Sequence, residues 1–277
     1  IVISSCTSET NIDGVRFIDE NSLLDGLTLK NVMDFKKEIS GTSTRSGWYF
    51  QQFLKMAYAL VCEDEYYILW DADTIPLNNI YFFNDDDVPF LDYREKYGYE
   101  DVNYFKTLSR LFVNETLMKE NKHSFITEHM VIKTSIMKDL IYRLSLCGKV
   151  KDDLFWKNIL RSIDKSFIDQ SGFSEFETYA AFVLKYYKSQ YILRLWNNLR
   201  PGRVFLGDNP SVEELNWVSK YFDVVSIEDF DKYTYLPKIA FKLNVDFLKL
   251  YKVYKPFLDM WTAFRVYGRS VIRHLQA

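Results

Sequence analysis

The 277-residue chain is predicted to be an α/β protein, with a mostly parallel central sheet flanked by helices over residues 1–208 and a mixed, helical C-terminal appendage over 209–277. Three observations predict this. Short β-type runs end in polar, often acidic loops, as strands do at the nucleotide side of an α/β sheet. A helix-periodic stretch leads directly into the most apolar of those runs, so strand, helix and strand alternate. Beyond Asp208 the alternation gives way to a mixed pattern that ends in an amphipathic, Trp-containing segment, Lys255 to Leu275.

Taken in order, Val2 to Ser5 is a β-type run ending in a Ser/Cys/Thr loop, and Val15 to Asp19 is a second one ending in the pair Asp19-Glu20. A loop holding Arg45 follows. From Trp48 to Cys62, Phe50, Phe53, Leu54, Ala57, Leu60 and Val61 recur at helical spacing, with Gln51, Gln52 and Lys55 on the opposite face. Tyr66 to Trp70 is then a buried strand. Val88 to Tyr93 predicts a strand, Glu100 to Phe112 a helix, Ile126 to Ile132 a strand bearing Glu128 and His129, and Ser135 to Leu146 a helix. Ser174 to Tyr187 is a strong helix with a Gly-Phe-Ser entry. Tyr191 to Leu195 and Arg203 to Leu206 are two further β-type runs.

Composition narrows the function classes. A hydrophobic share of 48% and a charged share of 26% are those of an ordinary globular protein, and no apolar run reaches the ~20 residues of a membrane span. Three widely spaced cysteines without a CxxC pair argue against a disulfide framework or a zinc site, and for a reducing, cytoplasmic setting. The start IVISSC has neither an initiator Met nor a basic leader, as expected of a chain trimmed or excised from something longer. Aromatics make up 17% of the residues, which suits stacking on sugars and bases or simply a core of large side chains. From Ala240 to Ala277, seven basic residues against two aspartates give a local charge of +5 on a chain whose total is −3, so the remainder carries −8. A short basic tail on an acidic body excludes a nucleic-acid partner.

The chemistry-bearing step is Asp71-Ala72-Asp73, at the point where the Tyr66 to Trp70 strand runs out. Two carboxylates on a tight turn suit a hard, oxygen-preferring cation, magnesium or manganese, held against phosphates. The ordinary alternative is acidic turn residues that only satisfy local backbone donors. Asn84 to Asp87 is read that way, as a solvated turn. Glu175 and Glu177 start a helix; Ser174 to Glu177 also fits a capping box, which leaves Glu175 as the preferred base. His129, beside Glu128, either completes a metal site, lines a pocket or is a hydrogen-bonded structural histidine.

With GWYFQQFLKM (Gly47 to Met56), YYILWDADTIPL (Tyr66 to Leu77), FITEHMVI (Phe125 to Ile132) and FSEFETY (Phe173 to Tyr179), the sequence resembles bacterial GT-A type glycosyltransferases linked to cell-surface polysaccharide synthesis. The resemblance implies a Rossmann-like GT-A domain that binds a nucleotide-diphosphate sugar, a UDP-sugar favoured, and a saccharide or lipid-linked acceptor. It implies that Asp71 contacts the ribose or donor sugar and that Asp73, with Asp71, binds the divalent metal. Asp19 would meet the nucleoside, Gln51, Gln52, Lys55 and Trp70 would line the donor, and Glu175 or Glu177 would deprotonate the acceptor in an inverting reaction. Arg45, Glu128 and His129 are candidate pocket residues. The basic tail would rest on an anionic membrane on its inner face, or dock on its own domain or another subunit.

Two other readings compete. A haloacid-dehalogenase-type phosphatase would use Asp71 as nucleophile, Asp73 as acid/base and Gly207-Asp208-Asn209 as a later motif. Against it, Ile75 stands where that family has Thr or Val, and its motif usually lies on the first strand. A non-catalytic carbohydrate-binding protein is the third reading.

Overall fold

A computed structural model describes residues 1–5, 12–95, 102–112, 123–147, 154–229, 231, 234–258 and 260. In chain order the elements are β1 (Val2–Ser4), β2 (Phe17–Asp19), α1 (Leu29–Ser40), α2 (Ser46–Ala57), β3 (Tyr66–Trp70), β4 (Thr74–Pro76), β5 (Phe90–Glu95), α3 (Val102–Leu111), β6 (His123–Ser124) and β7 (His129–Lys133). They continue with α4 (Thr134–Leu146), α5 (Phe155–Ser162), α6 (Glu175–Tyr186), β8 (Ile192–Leu195), β9 (Asn198–Leu199), α7 (Gly202–Leu206), α8 (Val212–Ser219), β10 (Val224–Ser226) and α9 (Tyr235–Lys242). Residues 247–258 are also helical.

The chain is α/β, but the described strands form four small sheets, ordered β1-β2, β4-β10-β9, β3-β7 and β6-β5-β8. Parallel pairing joins β1 to β2 and β9 to β10, whereas β4–β10 and β5–β6 are antiparallel. The described strands are thus short and mixed in direction, where the sequence led us to expect one mostly parallel central sheet.

Packing divides the chain into two compact units along a different line from the 1–208 and 209–277 partition. The first comprises Ile1–Leu69, Asp101–Asn121 and Met130–Ile192; the second comprises Trp70–Glu100, Lys122–His129 and Leu193–Ala277. The reason is strand pairing. β10 lies beside β4, so the late segment completes a sheet begun by the residues just after the Asp-x-Asp step.

In the first unit, α1 starts at Thr28, whose side chain accepts from the Asn31 N–H at 3.1 Å, and stops at Gly41 with φ +80°. The core is aromatic: Phe53 of α2 has Phe155, Trp156 and Phe173 rings around it, each with centroids 6.2 Å away. The high aromatic content therefore builds a core here. Truncating a buried Phe such as Phe53 costs about 3–5 kcal/mol. In the second unit, Leu199, Val204, Phe205, Val218, Val225 and Phe247 bury together behind the β4-β10-β9 sheet.

Two local expectations are corrected. Arg203 to Leu206, expected to be β-type, lies in the short helix α7, because Pro201-Gly202 opens a turn and Gly207 closes it. The strand expected to carry Glu128 begins only at His129. Helices α1, α5, α8 and α9 were not anticipated, and most of the amphipathic tail, 261–277, lies outside the described residues. Among the described residues no helix is long and apolar enough to cross a membrane.

Candidate functional site

The Asp-x-Asp step is a turn between β3 and β4. Its closure is local: the Thr74 N–H donates to the Asp71 carbonyl at 3.1 Å, and the Trp70 indole Nε1–H donates to the Thr74 carbonyl at 2.9 Å. Asp71 is half-buried and Asp73 exposed. β4 then pairs with β10, Thr74 opposite Ser226, and their hydroxyls meet at 3.1 Å. One residue further out, the Ile227 N–H donates to the Asp73 carbonyl at 2.8 Å. Asp73 is thereby fixed beside the chain that leads into Glu228.

The same sheet edge carries a cation. β9 runs parallel to β10, Leu199 opposite Val225, and the residue after it is Arg200. Its guanidinium reaches two glutamates: Nε meets Glu228 Oε1 at 3.0 Å and Nη1 lies 3.5 Å from Glu128 Oε1. Arg200 and Glu228 thus stand at the carboxyl ends of parallel strands, where α/β sheets bind ligands. Burial pushes the Glu228 carboxyl up; Arg200 opposes this, Glu128 and Asp73 add to it, and the result is about 7.

Glu128 is buried and sits just before β7 with φ +62°, a left-handed conformation that costs a non-glycine residue free energy. Its carbonyl accepts the Asp71 N–H at 2.8 Å. One carboxylate oxygen, Oε2, accepts from the Asn198 side-chain amide, while Oε1 makes no hydrogen bond and has only the longer approach of Arg200. Burial raises its carboxyl above the ordinary range, Arg200 and Arg94 work against that, and Asp71 reinforces it.

His129 is where the structure decides between the readings left open. Its Nε2 meets Asp92 Oδ2 at 2.8 Å and its Nδ1 meets the Thr127 carbonyl at 3.0 Å, so both nitrogens are engaged and neither offers a lone pair to a metal. Asp92 also takes two bonds from Arg194, at 2.6 and 2.8 Å. Burial raises the Asp92 carboxyl, but the bonds from Arg194 and His129 outweigh it and hold it below the ordinary range. Rings of Trp196, Trp70 and Phe82 pack around the imidazole at 4.2, 5.6 and 5.9 Å. His129, buried, and Trp70, half-buried, are parts of one aromatic support under the aspartate turn.

The other expected site residues belong to the first unit. Lys55 Nζ meets Glu175 Oε1 at 2.8 Å, and the Glu175 N–H donates to Gln52 Oε1 at 3.1 Å, which ties α2 to α6. Gln52 is buried by this contact, whereas Gln51 is exposed. The Ser174 hydroxyl accepts from the Glu177 N–H at 3.3 Å, the helix cap that the sequence allowed, and Glu177 is buried. Asp19 ends β2 with its carboxylate accepting from the Asn21 N–H at 2.9 Å. Arg45, exposed with φ +62°, stacks over Trp48 at 4.3 Å.

Sequence reasoning missed Arg200, Glu228, Asp92 and Arg194. One signal was present: Val224 to Ser226 runs into Ile-Glu-Asp, an apolar run ending in acids just as at Asp71. The phosphatase motif resolves otherwise, since Gly207 ends α7 and Asp208 pairs with Arg203 of that same helix. The Asn84 to Asp87 run is a turn, the Asn84 side chain accepting from the Asp86 and Val88 N–H groups at 3.1 and 2.8 Å.

As for metals, among the described residues no set of three or more His, Cys, Asp or Glu side chains is gathered to hold one. An exposed Asp73 beside a half-buried Asp71 still fits a hard cation of the magnesium class, which takes one or two carboxylates and leaves its other positions to phosphate and water.

The chain matches the model of a family of unknown function (DUF6492) over residues 5–229, a span that includes Asp71, Asp73, Glu128, Arg200 and Glu228. Comparison with curated proteins and with solved structures returned no match.

Proposed function

We propose that this chain, which belongs to that family, is a metal-dependent glycosyltransferase that moves a sugar from a nucleotide-diphosphate donor, a UDP-sugar favoured, to a saccharide or lipid-linked acceptor. The observation that carries the reading is the Asp71/Asp73 turn on a sheet edge shared with Arg200 and Glu228, with Asp71 tied to a strained, buried Glu128. Carboxylates of a type that takes a hard cation, on the same sheet edge as a guanidinium of a type that takes anions, suit a diphosphate. The fold reading that goes with it is a Rossmann-like GT-A arrangement, supported by parallel pairs β1–β2 and β9–β10 whose ends bear Asp19 and Arg200. The setting is cytoplasmic synthesis of a surface polysaccharide.

Asp73 and Asp71 would hold manganese or magnesium, which when bound neutralises charge on the departing diphosphate. Arg200 binds the same diphosphate and, by bridging Glu128 and Glu228, keeps the two glutamates from repelling each other. Glu228 belongs to the same unit and sheet edge as the aspartates, so we assign it, rather than Glu175 or Glu177, to take the acceptor proton. Inversion follows if the Glu228 carboxylate activates the acceptor directly.

The test is thermal stabilisation by nucleoside diphosphates and nucleotide sugars with and without manganese, on wild type and Asp73→Asn. A metal-dependent shift for one nucleotide, lost in Asp73→Asn, is expected. No shift with any nucleotide, or hydrolysis of simple phosphate esters that depends on Asp71, overturns it. For the base, Glu228→Gln should keep the nucleotide shift and lose transfer, whereas Glu175→Gln keeps both.

A further inference from the structure

The second unit presents an apolar face that the sugar-transfer reading does not use. On α9, Leu236 and Ile239 are 63% and 52% exposed and Pro237 and Ala240 are buried, and Leu243, which caps the helix, is 71% exposed. At 100° per residue Leu236 and Ile239 share one arc of the helix, which the capping Leu243 continues, and the exposed Lys238 and Lys242 lie together along one side of it. The helical segment 247–258 repeats the design. Phe247 is fully buried, Leu250, Tyr251, Tyr254 and Leu258 pack inward against the same core, and the outward face carries Val253 and Phe257, each 63% exposed, with exposed Lys249 and Lys252.

The inner faces of both helices already have their partner. The Trp217 ring contacts Phe241 and Phe247 at 5.4 and 4.8 Å, and its Nε1–H donates to the Val245 carbonyl at 2.9 Å, which holds the turn between them. Asp246 in that turn faces the Tyr221 hydroxyl and accepts the Lys249 N–H at 3.1 Å, so it is committed to the fold. Aliphatic and aromatic side chains thus alternate with lysines on the outward positions. Protein interfaces deplete lysine from their apolar centres. Surfaces that lie in the headgroup region of an anionic bilayer combine these two side-chain types, with alkyl stems reaching up to the phosphates.

We propose that the outward faces of α9 and of segment 247–258 form a docking surface for an anionic membrane. The surface overlaps the start of the basic segment Ala240 to Ala277 that the sequence singled out and extends it back to Leu236, all of it on described residues before 261, and the inference stands apart from sugar transfer.

The experiment is co-sedimentation of the full chain with phosphatidylcholine vesicles, with and without phosphatidylserine, at low and high salt. Wild type should pellet with the anionic vesicles only, and high salt should release it. Leu236→Ser/Ile239→Ser/Leu243→Ser and Lys242→Glu/Lys249→Glu/Lys252→Glu should each lower the partition coefficient by about tenfold or more. Both sets touch outward positions, and melting curves check that they fold; Val253→Ser/Phe257→Ser gives an independent variant on the other helix. Absence of wild-type binding overturns the proposal, and so does binding that folded apolar variants retain. Self-association in the absence of vesicles, abolished by the apolar variant, also overturns it by assigning the face to a second copy of the chain.

Discussion

Asp71 donates its backbone N–H to the carbonyl of Glu128 at 2.8 Å, and Glu128 presents that carbonyl from a left-handed conformation, φ +62°, with its carboxylate buried. Strain and a buried acid at the same residue are unfavourable for folding, and proteins keep such features where the surrounding structure uses them. The placement of Asp71 is what this one delivers.

Glu128→Gln tests that relation. The amide retains an acceptor for Asn198 and removes a carboxyl that burial raises above its ordinary range. Denaturation at pH 8 should show a variant as stable as wild type or about 1–2 kcal/mol more stable. The manganese-dependent nucleotide shift should weaken at the same time. A clear loss of stability would mean that the charge serves the fold.

Asp92 has the opposite role. It is the counter-ion of Arg194 and the hydrogen-bond partner of His129, so Asp92→Ala leaves both side chains at the support of the aspartate turn without it. Breaking a buried pair in this way costs about 3–5 kcal/mol, measurable by urea denaturation. Its carboxyl lies below the ordinary 3.8. The stability it contributes is therefore present above that pH and lost as pH falls through the lower folded value, a decline that the variant should lack.

Strands and helices that carry their own signal were legible in the sequence. Val2–Ser4 and Tyr66–Trp70 are apolar runs, and Ser46–Ala57 and Glu175–Tyr186 have the helical period and, for the latter, a serine cap. The Asp71/Asp73 turn was legible because an acid pair follows such a run. What failed was whatever depends on distant partners. Val224–Ser226 is only three residues long, and its role comes from pairing with Thr74–Pro76 far earlier in the chain, so Glu228 went unread. Arg203 to Leu206 has no period of its own; a glycine at each end makes it a helix. Nothing in a glutamate between Thr127 and His129 announces a left-handed backbone, and its bond to Asp71 joins residues far apart in the chain.

Glu228 predicts a pH dependence of the metal-free protein. Its folded pKa of about 7 stands above the ordinary 4.5, so the folded state holds the proton more tightly than the unfolded chain. That contribution is fully present below pH 4.5 and lost as pH rises through about 7. Stability should fall across this window, by at most about 3 kcal/mol for a shift of that size. Glu228→Gln should flatten the profile, and an unchanged slope in the variant would assign it to another group.

Gly202 sets how closely α7 approaches β10. A Cβ there would overlap the Val225 side chain and the Ser226 carbonyl, a backbone atom that cannot yield without disturbing the β4–β10 register. Gly202→Ala should therefore destabilise by about 1–3 kcal/mol, and because Arg200 and Glu228 flank this contact it should also weaken nucleotide-induced stabilisation. Gly47 supplies the contrast: it lies within α2 with nothing near its missing Cβ, so Gly47→Ala should be neutral or stabilise by about 0.5–1 kcal/mol. Chemical denaturation of the two variants side by side separates the effects. Equal stabilities would mean that α7 shifts to accommodate a methyl group, and the sheet edge carrying Arg200 and Glu228 would then be more compliant than its close packing implies.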